Sequence, residues 1–166
     1  LFFMITIYVL VGQLLKKLGK TVGTVESCTG GAVIASLIEE EGASAYVSGG
    51  MVSYTDAQKI KMVGVSAALL DEYGAVSEEV ASAMALNGLE GLGVDYCIAT
   101  SGYLGAAGGT EKNPNGTVWI SVAHEKNAYT QQLNFGSSRV INIQMCIFAA
   151  LNLLRNTLLE NKNEKK

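Results

Sequence analysis

The sequence predicts an α/β protein in three layers, α/β/α, with a mixed β-sheet that includes a C-terminal antiparallel hairpin. Two observations carry this. Early in the chain, apolar runs of strand length alternate with stretches of helical period, the pattern of neighbouring strands joined by helices. Later, GTVWISVA and AYTQQLNF are separated only by a polar turn at Glu125 to Asn127, a hairpin signal. Size is consistent with this: 166 residues, 49% hydrophobic and 16% charged, fit one domain over residues 1–166, with no repeat, low-complexity tract or boundary.

The opening LFFMITIYVLV has no basic flank before it and no Ala-x-Ala pattern after it, and a spanning helix needs about 20 apolar residues. It reads as a packed helix continued by GQLLKKLG, with Leu14, Leu15 and Leu18 on the apolar face and Lys16 and Lys17 outside. Thr21 to Glu26 follows as a buried strand and Gly31 to Glu40 as a helix with Val33, Ile34, Leu37 and Ile38 inward. AYVSGGMVSY is a second strand, and Gly49 and Gly50 mark a bulge or a close approach. TDAQKIKMVG and SAALLDEYG are short helices begun by Thr and Ser caps. Ser77, with Glu78 and Glu79 in the first turn, caps a longer helix to about Leu92, where acidic side chains complement the dipole. DYCIATSG is a buried strand, the hairpin follows, and a long helix runs from Ser137 into a solvated tail, ENKNEKK.

Composition also excludes function classes. A formal net charge of -3, with basic residues clustered only in the tail, leaves no electrostatic footprint for nucleic acid. Three scattered cysteines, an odd number, point to reduced thiols and a cytoplasmic location. Cys28 reads as a small buried hydrophobe. The single histidine, His124, falls at the edge of the hairpin turn, a surface position far from every other candidate, so a Ser-His-Asp triad is not expected. No pair of Cys or His has ligand spacing, so no metal site is expected, and GAVIAS lacks the Lys-Ser or Lys-Thr of a phosphate loop.

What remains is TVESCTGGAV, Thr24 to Val33, where an apolar run stops at Ser27 and Cys28 and two glycines open a helix. Ser27 stands at the carboxyl end of a strand, where open sheets place their ligand crevices, and the amides of Thr29, Gly30 and Gly31 are candidates to hold an oxyanion or a phosphate. Spacing alone leaves a second reading open, in which Ser27 or Thr29 is only a helix cap. The glycine-rich stretch Gly102 to Gly109 has two readings as well, a backbone approach to a ligand or a long surface loop.

The segments ESCTGG, GGMVSYTDAQK, GAVSEEVA, ATSGYLGAAGG, NGTVWIS and FGSSR, in that order, resemble the C-terminal domain of competence/damage-inducible protein A, a family that includes stand-alone nicotinamide-nucleotide amidohydrolases. The resemblance runs from about Leu14 to Leu159. Larger members carry a molybdopterin-binding-like domain ahead of this one, and the chain resembles the short, amidohydrolase-only form. The resemblance implies deamidation of nicotinamide mononucleotide to nicotinate mononucleotide and ammonia, a step of pyridine nucleotide salvage, with no cofactor. It also implies roles: the family's serine matches Ser27, its tyrosine and lysine match Tyr54 and Lys59, and its arginine matches Arg139 in FGSSR.

With histidine set aside, a Ser/Lys arrangement activates a hydroxyl, provided Lys59 is brought down from its usual pKa of about 10.4. Tyr54 would orient the lysine or relay a proton, and Arg139 would grip a phosphomonoester. The chain departs from the family where relatives read T-T-G-I-A-G-P. There it has TSGYLGA, with Ser101, Tyr103, Leu104 and Ala106 as replacements, and Asp56 stands where Asn is common. These changes bear on substrate preference, and a nucleotide-binding module without turnover is the alternative function. The expected partners are therefore a small nucleotide and, because the N-terminal apolar segment exceeds what one sheet edge needs, a second copy in a homo-oligomer. No nucleic acid or membrane is expected.

Overall fold

The computed structural model describes residues 2–163, and the side chains of residues 7–161. The most apolar stretch of the opening segment, 1–6, and the tail at 164–166 therefore lie, in side chain or altogether, outside the described residues. Helix α1 spans Phe2–Leu18, strand β1 Val22–Glu26 and helix α2 Ala32–Leu37; a single 3₁₀ turn at Ala43–Ala45 leads into β2, Val47–Val52. Helices α3 (Asp56–Val63), α4 (Ala67–Tyr73) and α5 (Glu78–Leu92) follow, then β3 (Tyr96–Gly102), β4 (Thr117–His124), β5 (Asn127–Asn134) and α6 (Arg139–Asn163).

The five strands form one sheet in the order β2-β1-β3-β4-β5, parallel from β2 to β3 and antiparallel from β3 to β5. This is the mixed sheet the sequence predicts. One face packs Ile7, Val11 and Leu15 of α1, Val33 and Leu37 of α2 and Ile147, Leu151 and Leu154 of α6 against Val22, Ile98, Val118 and Ile120. The other packs Val63, Leu70, Val80 and Met84 of α3, α4 and α5 against Val25, Cys97 and Ala99. Successive residues of β1 and β3 thus enter opposite cores, which is why both strands read as nearly unbroken apolar runs. Among the described residues no helix is long and apolar enough to cross a membrane.

Three expectations are refined. Helix α2 stops at Leu37, with Ile38 as its C-cap, because Glu39, Glu40 and Glu41 would place negative charge on the negative end of the helix dipole. The bulge in β2 falls at Ser48, which the β1–β2 pairing skips between Val47 and Gly49, while Gly50 is a close approach where any Cβ would collide with Thr24 Oγ1. His124, expected at the surface, is 7% exposed: its ring stacks on Tyr96 at 4.2 Å and 5°, and Nδ1 lies 2.8 Å from the Asp95 carbonyl oxygen. The pairing Tyr96↔His124 puts it at the far end of β3, about 20 Å from Gly102 along the strand, so it takes no part in chemistry at the carboxyl edge.

Candidate active site

The register pairs Glu26 with Val52 on one side and Thr100 on the other. Ser27 and Ser53 therefore leave the sheet side by side, next to Ser101 of β3, at the carboxyl end of its parallel strands, the edge where such sheets form their crevices. Two backbone bonds extend the pairing past the strand ends, Ser53 N–H to the Glu26 carbonyl at 2.8 Å and Ser27 N–H to the Thr100 carbonyl at 3.0 Å. Thr55 then caps α3, its hydroxyl accepting the Gln58 amide at 3.3 Å, and the helix places Lys59 one turn in, aimed back at the sheet edge.

Lys59 is 2% exposed. Its Nζ lies 3.2 Å from Ser27 Oγ, 3.2 Å from the Ser53 carbonyl oxygen and 3.3 Å from that of Tyr54. The one carboxylate near it, Asp56, is 3.7 Å away and 61% exposed. Burial pulls the Lys59 pKa below its ordinary value, and Asp56 opposes that shift without reversing it. The ammonium form is thus held by one hydroxyl and two carbonyls, a poor exchange for hydration.

A cavity of about 310 Å³ opens over this pair, lined by Ser27, Cys28, Tyr54, Asp56, Lys59, Val76, Gly102, Tyr103 and Arg139 among others. The structure so brings together Ser27, Lys59, Tyr54, Gly102 and Arg139 from four separate segments of the sequence. Arg139, the first residue of α6, makes no ion pair among the described residues and lies beside Gly105. Its backbone is set by Asn142, 1% exposed, whose side chain donates to the Leu104 carbonyl at 2.9 Å and the Ser137 carbonyl at 3.0 Å while accepting the Ser137 amide at 3.1 Å. One amide side chain thereby fastens the arginine's segment to the loop carrying Gly102 and Tyr103. Gly102 has a packing reason of its own, since a Cβ there would stand 2.8 Å from Val118 Cα.

Two expectations are corrected. The amides of Gly30 and Gly31 are not free: Glu26, 0% exposed, accepts Gly31 N–H at 2.9 Å together with Val33 N–H at 3.1 Å and Ile34 N–H at 2.9 Å, while Gly30 N–H bonds the Ser27 carbonyl at 3.2 Å. Thr29 points inward as well, its hydroxyl 2.6 Å from Glu26 Oε2 and 2.7 Å from Thr100 Oγ1. Thr29, Gly30 and Gly31 are absent from the cavity wall, and the backbone N–H groups of Cys28 and Thr29 alone in this turn meet no acceptor among the described residues. Tyr54 touches the lysine through its carbonyl, whereas its ring is exposed at the cavity mouth and its hydroxyl makes no bond to Lys59 or Ser27. The residues missed by sequence reasoning are Glu26 and Asn142, and Asp56, singled out only as a departure from the family pattern, was not expected beside Lys59; a glutamate closing an otherwise apolar strand was the available signal for the first.

A larger hollow of about 680 Å³ lies between β5 and α6, lined by residues such as Leu133, Phe135, Met145 and Phe148 and by no titratable side chain. It offers no chemistry. Among the described residues no group of three or more His, Cys, Asp or Glu is placed to hold a metal ion.

Comparison with known proteins identifies the family. The model of the CinA C-terminal domain matches residues 5–158. A CinA-like protein of Cytophaga hutchinsonii is 45% identical over 152 residues, 92% of this chain and 36% of that protein, and one of Amoebophilus asiaticus is 40% identical over 92% of this chain and 37% of that protein. The chain so spans a little over a third of the length of these curated relatives. Among solved structures, a CinA superfamily protein of Klebsiella pneumoniae superposes with a TM-score of 0.91 at 30% identity, covering 95% of this chain and 98% of that one. Another, from Escherichia coli, gives 0.87 at 32% identity over 91% of this chain and 88% of that one. The chain belongs to the CinA C-terminal domain family.

Proposed function

We propose that the chain is an amidohydrolase that converts nicotinamide mononucleotide to nicotinate mononucleotide and ammonia, with Ser27 as nucleophile and Lys59 as its base. The observation that carries this reading is the buried Lys59 amine 3.2 Å from the Ser27 hydroxyl, with its pKa lowered by burial. Neutral Lys59 takes the Ser27 proton as Oγ attacks the carboxamide carbon, then passes it to the departing nitrogen, which leaves as ammonia. Water, deprotonated by the same amine, hydrolyses the acyl ester and returns the proton to Ser27. The amide of Cys28, a residue of the cavity wall, meets no acceptor among the described residues and is the candidate backbone donor for the oxyanion. Arg139, on the same cavity wall and without an ion pair among the described residues, supplies a guanidinium fork for the substrate phosphate. The Tyr54 ring at the mouth offers a flat face to the nucleotide.

The thiols support a cytoplasmic setting: Cys28, Cys97 and Cys146 are all free and buried. For association, the expectation drawn from α1 loses part of its basis, because Ile7, Val11 and Leu15 pack inside the chain; the exposed Ile141, Met145 and Phe148 beside β5 form the apolar face that remains.

The test is steady-state ammonia release. Wild type releases ammonia from the mononucleotide, Ser27→Ala does not while still binding it, and Cys28→Ala retains most activity. A wild type that binds the nucleotide without releasing ammonia overturns the reading in favour of a binding module.

A further inference from the structure

Four of the helices have N-caps whose geometry is defined, and they are not capped alike. Thr55, Ser66 and Ser77 cap α3, α4 and α5 in the ordinary way, each hydroxyl accepting an amide of the first turn. Helix α2 differs. Its N-cap is Gly31, left-handed at φ 97° and without a side chain, and the capping oxygens come from Glu26, in the preceding strand. This carboxylate is fully buried and makes no ion pair with lysine or arginine among the described residues; its partners are three amides and the Thr29 hydroxyl. A buried carboxylate carries a desolvation cost that a serine cap avoids, so the arrangement calls for a reason beyond capping a six-residue helix.

The reason lies in what the carboxylate encloses. Residue 26 is fixed in the sheet between Val52 and Thr100, and residues 31 to 34 are fixed by the carboxylate, so the turn from Ser27 to Gly30 is held at both ends. Its middle is pinned by Thr29, which bridges Glu26 Oε2 and Thr100 Oγ1. The Glu26 peptide also reaches the lysine: its carbonyl accepts the Ser53 amide, and the Ser53 carbonyl accepts Lys59 Nζ. We propose that Glu26, through Thr29 and the first amides of α2, is the positioning residue that holds Ser27 in attacking geometry against Lys59.

This inference rests on the Ser/Lys reading above and adds to it a group that touches neither substrate nor reacting atoms. Gln in place of Glu26 would turn an –NH₂ toward donors that need an acceptor, so the turn would open although size is kept. Because Arg139 and the phosphate end belong to other segments, the defect would fall on the chemical step and not on binding.

The experiment compares wild type, Glu26→Gln, Thr29→Val and Thr29→Ser by three readouts: labelling rate of Ser27 with a fluorophosphonate probe, kcat and KM for deamidation of nicotinamide mononucleotide, and unfolding midpoint. Expected are a fall of about 100-fold or more in both labelling rate and kcat for Glu26→Gln, with KM within about threefold of wild type. Thr29→Val keeps the carboxylate and its three amide bonds, and loses about tenfold in both rates; Thr29→Ser restores them. If Glu26→Gln does not fold, the Thr29 pair decides alone. Labelling and kcat equal to wild type in folded Glu26→Gln or Thr29→Val, with only the midpoint lowered, would show a merely structural cap and overturn the inference while the Ser/Lys reading stands. A wild type that neither labels nor turns over overturns both.

Discussion

Two polar clusters sit at opposite ends of β3, and they are built on opposite terms. At the Tyr96 end, Lys20 Nζ bonds Asp95 at 2.8 Å, Thr21 donates to the same carboxylate through its amide and its hydroxyl, and His124 stacks on Tyr96 while bonding the Asp95 carbonyl. Each charge there has its counterpart. At the Gly102 end, Lys59 is more deeply buried than any of these groups yet faces only a hydroxyl, two carbonyls and a distant carboxylate, and Arg139 has no ion pair among the described residues. The pKa directions follow the same division. Burial pushes the Asp95 carboxyl up, but hydrogen bonds from Lys20 and Thr21 outweigh it and hold the group below the usual range, whereas burial dominates at Lys59 and lowers it. A satisfied cluster stabilises; an under-satisfied one is available for chemistry.

The sharpest way to break this comparison is to remove the lysine amine. Lys59→Met should abolish ammonia release, a loss equal to that of Ser27→Ala and not additive with it, because nucleophile and base act as one unit. Burying a thioether where an under-solvated amine stood should leave the unfolding midpoint unchanged or raised. Retained turnover in Lys59→Met would equate the two clusters.

Arg139→Ala comes next in size. Losing a charge-assisted contact worth about 1.5–3 kcal/mol should raise KM roughly 10- to 100-fold, with a smaller fall in kcat if the phosphate grip also aligns the amide. Replacing the mononucleotide by its dephosphorylated nucleoside should reproduce the effect in wild type and add nothing in the variant.

A smaller effect belongs to Asp56, whose charge opposes the burial-driven shift of Lys59. If Lys59 is the base, the neutral amine is the active form, and kcat should rise with pH through a Lys59 pKa that lies below 10.5. Asp56→Asn removes the group that raises that pKa, and the ascending limb should move to lower pH. A limb that stays in place would show that the carboxylate is too well hydrated to act.

The smallest effect is at the other cluster. Asp95→Ala should cost about 1–2 kcal/mol, since one partly buried carboxylate serves Lys20 and Thr21, with kcat unchanged. A carboxyl with a lowered folded pKa contributes its stability above the ordinary carboxylate range and loses it as pH falls through the folded value. Asp95→Ala should thus lose less stability than wild type between neutral and acid pH, which thermal melts at several pH values would check.

Much of this architecture was legible in the chain. Turn residues, caps and periodicity located the strands and helices because those signals are local: Thr55, Ser66 and Ser77 cap the helices they announce. The place of Ser27 at the cavity was legible too, as it follows directly on an apolar strand. What could not be read was how groups distant in sequence satisfy one another. The α2 amides look free until the Glu26 carboxylate is seen to accept them, and Tyr54 suggests its hydroxyl when the structure uses its carbonyl. His124 looked exposed because hairpin ends usually are, but the stack on Tyr96 depends on strand register, which periodicity does not specify.

The central claim is a covalent step at Ser27, and the most direct test is to quench wild-type protein with acid during turnover of nicotinamide mononucleotide and map any adduct by peptide mass spectrometry. The account predicts an acyl ester on the peptide carrying Ser27, located on that hydroxyl and absent from Ser27→Ala. An adduct on the Cys28 thiol, or turnover by Ser27→Ala without any adduct, would contradict it.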